Sequence, residues 1–163
     1  MGNNTVLRAV QAGAESKVRR QLEAGASPND RDKAGRTPLH WAAQEGFLDV
    51  VRCLIEFGVQ PNPSDNLGFT PLAVAAGEGH AAVGRELLRA GASPNMRNPA
   101  HANGTALQLA CSWGRLEAVR ALVEESSVEV NARDASGKTA LAYALEAGHQ
   151  ELVAYLKERG ATV

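Results

Sequence analysis

Apolar residues along this chain fall into short stripes of helical spacing, each soon broken by glycine. Between Asp32 and Gly58, Leu39, Ala42 and Ala43 form one stripe and Gly46 ends it. Val50, Val51, Leu54 and Ile55 form a second, at i, i+1, i+4 and i+5, and Gly58 is placed to stop that helix at its C-terminus. The first helix carries its own start signal. Thr37 suits the N-cap, and Pro38 suits the first helical position, where a missing N–H costs nothing. Ahead of it, Asp32-x-x-Gly35-x-Thr37 supplies turn residues. The pattern predicts two short antiparallel helices preceded by a protruding turn. Such a pair cannot bury its apolar face alone, but stacked on copies of itself it can.

Copies are present. Gly13, Gly46, Gly79, Gly114 and Gly148 are spaced 33, 33, 35 and 34 residues apart, and Thr37, Thr70, Thr105 and Thr139 follow at 33, 35 and 34. Asp32, Asp65, Asn98 and Asp134 keep nearly the same step, as do Asn29, Asn62, Asn95 and Asn131. Four landmarks sharing one period mark a repeat architecture.

With Thr37-Pro38-Leu39-His40-Trp41-Ala42-Ala43 in place beside Asp32, Gly35, Gly46, Val50-Val51, Leu54-Ile55, Gly58 and Asn62, the unit resembles an ankyrin repeat. A second full copy has Thr70-Pro71-Leu72, Ala75-Ala76, Gly79-His80, Leu87-Leu88 and Gly91-Ala92. Looser copies carry Thr105-Ala106-Leu107 and Thr139-Ala140-Leu141, and residues near 5–31 read as a degenerate first unit. The resemblance implies an all-α repeat fold: an ankyrin-type α-solenoid of helix-turn-helix units with protruding β-hairpin or turn fingers. It divides one domain, residues 1–163, into units at about 1–31, 32–64, 65–97, 98–133 and 134–163.

The end units are expected to be caps. Lys17 and Gln21 stand where Val50 and Leu54 face a preceding unit, giving a polar outer wall, and Lys157 stands at the Ile55 position of the last unit. Val153 stays apolar, so the C-terminal cap is less complete. The array is expected to be whole and monomeric. Two joints are irregular. The segment from Asn95 to Thr105 has two extra residues, with Asn103 where the turn glycine belongs, and Gly84 replaces an apolar residue just upstream. The third and fourth units are therefore expected to be the most weakly coupled. Glu124-Glu125-Ser126-Ser127-Val128 is one residue longer than its counterparts.

Composition narrows the function classes. Lys+Arg 17 against Asp+Glu 18 gives a formal charge of −1, without the basic excess that proposes nucleic acid or a membrane surface. The 163 residues include 29 alanines and 17 leucines but only seven aromatics, which suits thin, closely packed helices. No apolar run is long enough to span a membrane, and MGNNTVLRAV lacks the features of a secretory signal. Val6 spoils the myristoylation motif at Gly2, and the sequons at Asn3 and Asn103 carry little weight without export. A cytoplasmic or nuclear location is expected. Cys53 and Cys111, two units apart, read as small buried hydrophobes.

No phosphate loop, nucleophile elbow or H-E-x-x-H motif is present, so no enzyme, cofactor or metal is expected. Of the histidines, His40, His80 and His149 sit at repeat positions. The resemblance implies that His40 ties the turn to its helix and that the other two occupy inter-helix turns. His101, off the pattern in the long loop, is expected to be solvated or to touch a partner.

The resemblance also implies that partners dock on the finger tips and inner helices. That face takes Arg31, Lys33, Arg36, Gln44 and Glu45 from the second unit, and Asn66, Leu67, Phe69 and Glu78 from the third. The fourth supplies the 97–104 loop with His101, then Ser112 and Trp113, and the fifth supplies Arg133, Ser136, Lys138 and Glu146. Leu67, Phe69 and Trp113 are the candidate interface anchors. Against that, Phe69 could cover the neighbouring hairpin and Trp113 could pack under the long loop. Trp41 is expected to be partly buried.

Arg31, Lys33, Arg36, Arg97, Arg133 and Lys138 suggest a basic finger edge suited to an acidic or acidic-hydrophobic segment, unless that edge is mixed and solvated. Asp32, Asp65 and Asp134 are expected to be engaged in their own turns. The resulting expectation is a non-enzymatic module that binds a partner protein, as adaptor or inhibitor. The alternative is nucleic-acid or other polyanion binding through the fingers.

Overall fold

The computed structural model describes residues 5–125 and 127–163. Gly2, the Asn3 sequon and Ser126 of the lengthened segment lie outside the described residues. Among the described residues ten helices follow in pairs: α1 (Thr5–Gln11) with α2 (Glu15–Glu23), α3 (Pro38–Glu45) with α4 (Leu48–Glu56), and α5 (Pro71–Glu78) with α6 (Ala81–Arg89). Two more pairs are α7 (Ala106–Ser112) with α8 (Leu116–Val123), and α9 (Ala140–Glu146) with α10 (Gln150–Glu158). The odd-numbered helices pack against one another in an inner row and the even-numbered ones in an outer row.

Each inner helix after the first starts as its sequence requires. Thr37, Thr70, Thr105 and Thr139 hold extended N-cap geometry. The Thr70 and Thr139 hydroxyls accept from Ala73 and Ala142 N–H at 3.2 and 3.3 Å. The core is a continuous seam of Leu, Val and Ala, with Leu39, Leu54, Leu72, Leu87, Leu122, Leu152 and Leu156 fully buried. Burying one such leucine stabilises by roughly 1.5–3 kcal/mol relative to exposure.

The stack is keyed at the inter-helix turns. Phe47, His80, Arg115 and His149, each opening an outer helix, lean over Gly13, Gly46, Gly79 and Gly114 of the preceding pair. A Cβ there would come within 3.0 Å of the Phe47 ring, 2.6 Å of His80, 3.1 Å of Arg115 and 2.6 Å of His149. Gly148, in the last pair, has nothing within 4 Å of that position. That end is also where Leu145 stays 45% exposed and Val153 half-buried. At the other end Lys17 is exposed and Gln21 half-buried, while Val18 and Leu22 are buried.

The fingers are turns. Among the described residues the one β-type pairing is an isolated bridge between Asn98 and Gly104. Inside the long 97–104 loop both Ala102 (φ 47°) and Asn103 (φ 55°) take the left-handed conformation. Asparagine tolerates it well. Ala102 was not foreseen there, and its carbonyl accepts from Ala135 N–H of the next finger at 2.7 Å.

The joint between the third and fourth units is not the loose one expected. Gly77 lies against Leu109, so a missing side chain lets α5 approach α7 closely, while Gly84 is buried facing Leu72 of its own unit. Arg115 Nε adds a hydrogen bond to the Gly77 carbonyl at 2.8 Å.

Candidate functional site

The finger aspartates set the frame. Asp32 Oδ1 accepts from Ala34 and Arg36 N–H at 2.8 and 2.9 Å. Asp65 Oδ1 accepts from Leu67 and Phe69 N–H, both at 2.9 Å. Asp134 Oδ1 accepts from Ser136 and Lys138 N–H at 2.8 and 2.9 Å. In the second and fifth units the other carboxylate oxygen also has a partner. Asp32 Oδ2 accepts from Arg36 Nε at 3.0 Å and from the Trp41 indole N–H at 3.1 Å. The Arg36 guanidinium lies 3.8 Å over the Trp41 ring. Asp134 Oδ2 accepts from the Tyr143 hydroxyl at 2.6 Å, with the Lys138 ammonium 5.5 Å from that ring. Burial works to raise Asp134, but the Tyr143 hydroxyl, Ser136 and the turn N–H groups outweigh it and hold the carboxyl down at about 2. The same hydroxyl contact pushes Tyr143 up to about 12.

The third unit departs from this scheme. Phe69 stands at the Arg36 position and Val74 at the Trp41 position. Together with Leu109 and Trp113 of the fourth unit they line a groove of about 280 Å³. Its polar lining comprises Arg36, His40, Gln44, Asp65, Glu78 and Arg115. Four hydrogen bonds hold the walls in place. His40, 1% exposed, accepts from Thr37 N–H through Nδ1 at 3.1 Å and donates through Nε2 to the Phe69 carbonyl at 2.9 Å. His80 Nε2 donates to the Gln44 carbonyl at 3.0 Å, and Arg115 reaches Gly77, the matching position one unit on.

Of the residues read from the sequence as the binding face, Arg36, Gln44, Phe69, Glu78 and Trp113 meet in this groove. Trp113 is 63% exposed at its rim and Phe69 is half-buried, packed on the core. Leu67, 62% exposed, sits on the finger outside the lining, and Glu45 is exposed beside Gln44. Ser112 is turned back on its own helix, donating to the Leu109 carbonyl at 2.8 Å. Asn66 ties fingers together through the Lys33 carbonyl at 3.1 Å. His101 is placed differently from its expectation: half-buried, it stacks on Tyr143 with ring centres 5.9 Å apart. Sequence reasoning missed His40, Asp65, Val74, Leu109 and Arg115 as groove residues.

The basic finger edge is largely spent within the fold. Arg31 Nη1 donates to the Gly35 and Ser64 carbonyls at 2.9 and 2.7 Å. Arg97 Nη1 reaches the Asn103 and Arg133 carbonyls at 3.1 and 2.7 Å. Arg133 reaches Gly137 and Val163 at 2.7 and 2.9 Å. These arginines share one repeat position and brace each finger against its neighbour. Lys138 pairs with Glu146 at 2.7 Å, leaving Lys33 exposed on the edge. Their charge stays on that side, but their hydrogen bonds are committed.

Among the described residues no group of three or more His, Cys, Asp or Glu is placed to hold a metal ion, and no helix is long and apolar enough to cross a membrane. Cys53 and Cys111 are buried and free, and burial pushes both thiols up. A comparison with protein families finds that the model described as "Ankyrin repeats (3 copies)" matches residues 6–98 and 85–163.

Proposed function

Because this chain belongs to the ankyrin repeat family, whose members generally act as protein–protein interaction modules, we propose that it holds a segment of a partner protein in the groove between Phe69 and Trp113. The observation that carries this reading is the groove itself. Four apolar side chains from adjacent units line it, in a chain with only seven aromatic residues, and a tryptophan stays 63% exposed at its edge. A large exposed aromatic beside a preformed apolar groove is what a binding anchor needs. Occupying a partner's segment in this way would let the protein act as an adaptor or as an inhibitor that masks it. We place this activity in one monomeric, non-enzymatic domain of five units in the cytoplasm or nucleus. Polyanion binding through the fingers is disfavoured, because Arg31, Arg97 and Arg133 already serve backbone carbonyls.

The test is selection of a random linear peptide library on the wild-type chain, with binding compared on Trp113→Ala and on a Leu67→Ser, Phe69→Ser, Trp113→Ala variant. Circular dichroism and melting first establish that the variants fold. Peptides that bind wild type and are lost on Trp113→Ala support the groove. Peptides that bind both equally well overturn it. A binding interaction that weakens steeply with added salt would instead favour the polyanion reading.

A further inference from the structure

Asp65 is the finger aspartate whose second oxygen the fold leaves unused. In Asp32 that oxygen takes the Arg36 guanidinium and the Trp41 indole, and in Asp134 it takes the Tyr143 hydroxyl. The third unit has Phe69 and Val74 at the donor positions, and neither can donate from its side chain. Among the described residues no side-chain donor reaches Asp65, which is half-buried in the groove wall. We propose that this oxygen receives an arginine of the partner segment, its guanidinium entering the groove between Phe69 and Trp113 with apolar residues beside it. The inference rests on the groove being the binding site proposed above.

The second unit shows the arrangement within the same molecule. There a guanidinium bonds an aspartate at the same finger position while lying over an aromatic ring, 3.8 Å from its centre. Replacing Arg36 and Trp41 by Phe69 and Val74 removes the internal guanidinium and opens the space it would fill. A planar, weakly hydrated guanidinium suits an apolar, aromatic-walled site better than a compact ammonium does.

The unpaired charges nearby are acidic in balance. Glu45 and Glu78, exposed at the ends of α3 and α5, have no cation within ion-pair distance among the described residues. Of the two rim arginines, Arg36 is paired with Asp32, and Arg115, bonded to the Gly77 carbonyl, leaves one cation against Asp65, Glu45 and Glu78. The groove thus complements a basic-hydrophobic segment, opposite in sign to the acidic one that the finger arginines suggest in sequence.

The test uses a peptide from the library selection above, resynthesised with each arginine replaced by citrulline, which keeps the shape and removes the charge. On the wild-type chain the citrulline form is expected to bind about tenfold more weakly. Asp65→Asn is expected to bind the arginine and citrulline forms nearly equally. Asparagine already stands at the same finger position in the next unit, where Asn98 Oδ1 accepts from Ala100 and His101 N–H at 2.8 and 3.2 Å in a longer loop. The citrulline comparison on wild type needs no variant, so it decides the matter even if Asp65→Asn is unstable. Peptides that require Trp113 but carry no arginine, or whose citrulline forms bind equally well, overturn the arginine site and leave the groove standing. Peptides indifferent to Trp113→Ala overturn the groove and the arginine site together.

Discussion

The imidazole of His80 lies over Gly46 and its Nε2 donates to the Gln44 carbonyl at 3.0 Å, so one side chain both seals the inter-helix turn and bonds the preceding helix. Gly46 holds φ 72° and Gly148 holds φ 75°, but only Gly46 has a neighbour above it. Gly148→Ala should therefore cost only the left-handed backbone penalty, about 1 kcal/mol. Gly46→Ala adds a collision with a bonded ring and should cost about 3 kcal/mol in all. Urea unfolding of the two variants checks this. Equal losses would mean that His80 yields freely.

His40 and Gln108 do the same work with different chemistry. Gln108 Oε1 accepts from Thr105 N–H at 2.7 Å, and its Nε2 donates to the Lys138 and Ala132 carbonyls at 2.7 and 3.0 Å. His40→Gln should consequently stay within about 1 kcal/mol of wild type, whereas His40→Ala strands buried polar groups and should cost about 2–3 kcal/mol. Burial holds the His40 pKa below its ordinary value, outweighing the Phe69 carbonyl and Asp65. The unfolded chain therefore takes up the proton first. The His40 contribution is fully present above pH of about 6.5 and is lost as pH falls through the lower folded-state value. Unfolding measured from neutral to mildly acid pH should show a shallower loss for His40→Gln than for wild type.

Much of this architecture is legible in the chain, because the period rests on local rules. Thr37-Pro38 starts a helix, Gly58 stops one, and the apolar stripes follow from spacing alone. The binding face is legible only as a list of positions. Leu67 and Trp113 proved exposed, but Phe69 is half-buried because it packs on the core while lining the groove. The roles of Arg31, Arg97 and Arg133 could not be read, since a bond to a backbone carbonyl in the next unit leaves no mark in side-chain pattern. His101 misleads for a related reason. Its partner, Tyr143, lies in the following unit.

The finger arginines should behave as braces. Arg97→Ala removes hydrogen bonds to the Asn103 and Arg133 carbonyls and is expected to cost about 1 kcal/mol of stability at this exposed site. Affinity for a groove-bound peptide should stay unchanged. Thermal melting and a binding isotherm on one sample separate the two effects.

Cys53 and Cys111 are both fully buried, and burial raises both thiols, so neither presents a reactive thiolate. An aromatic disulfide reagent at neutral pH should leave the folded chain unmodified and should titrate 2 thiols once urea unfolds it. Rapid reaction of one thiol in the folded state would contradict the packing of its helix.

The most direct test of the central claim is amide and indole chemical-shift mapping by NMR, with a library-selected peptide titrated into the isotope-labelled chain. The account predicts that perturbations gather on residues 65–78 and 109–115, with the Trp113 indole N–H among the largest. Perturbations confined to the outer helices α4, α6 and α8, or to Arg31, Arg97 and Arg133 on the fingers, would contradict it.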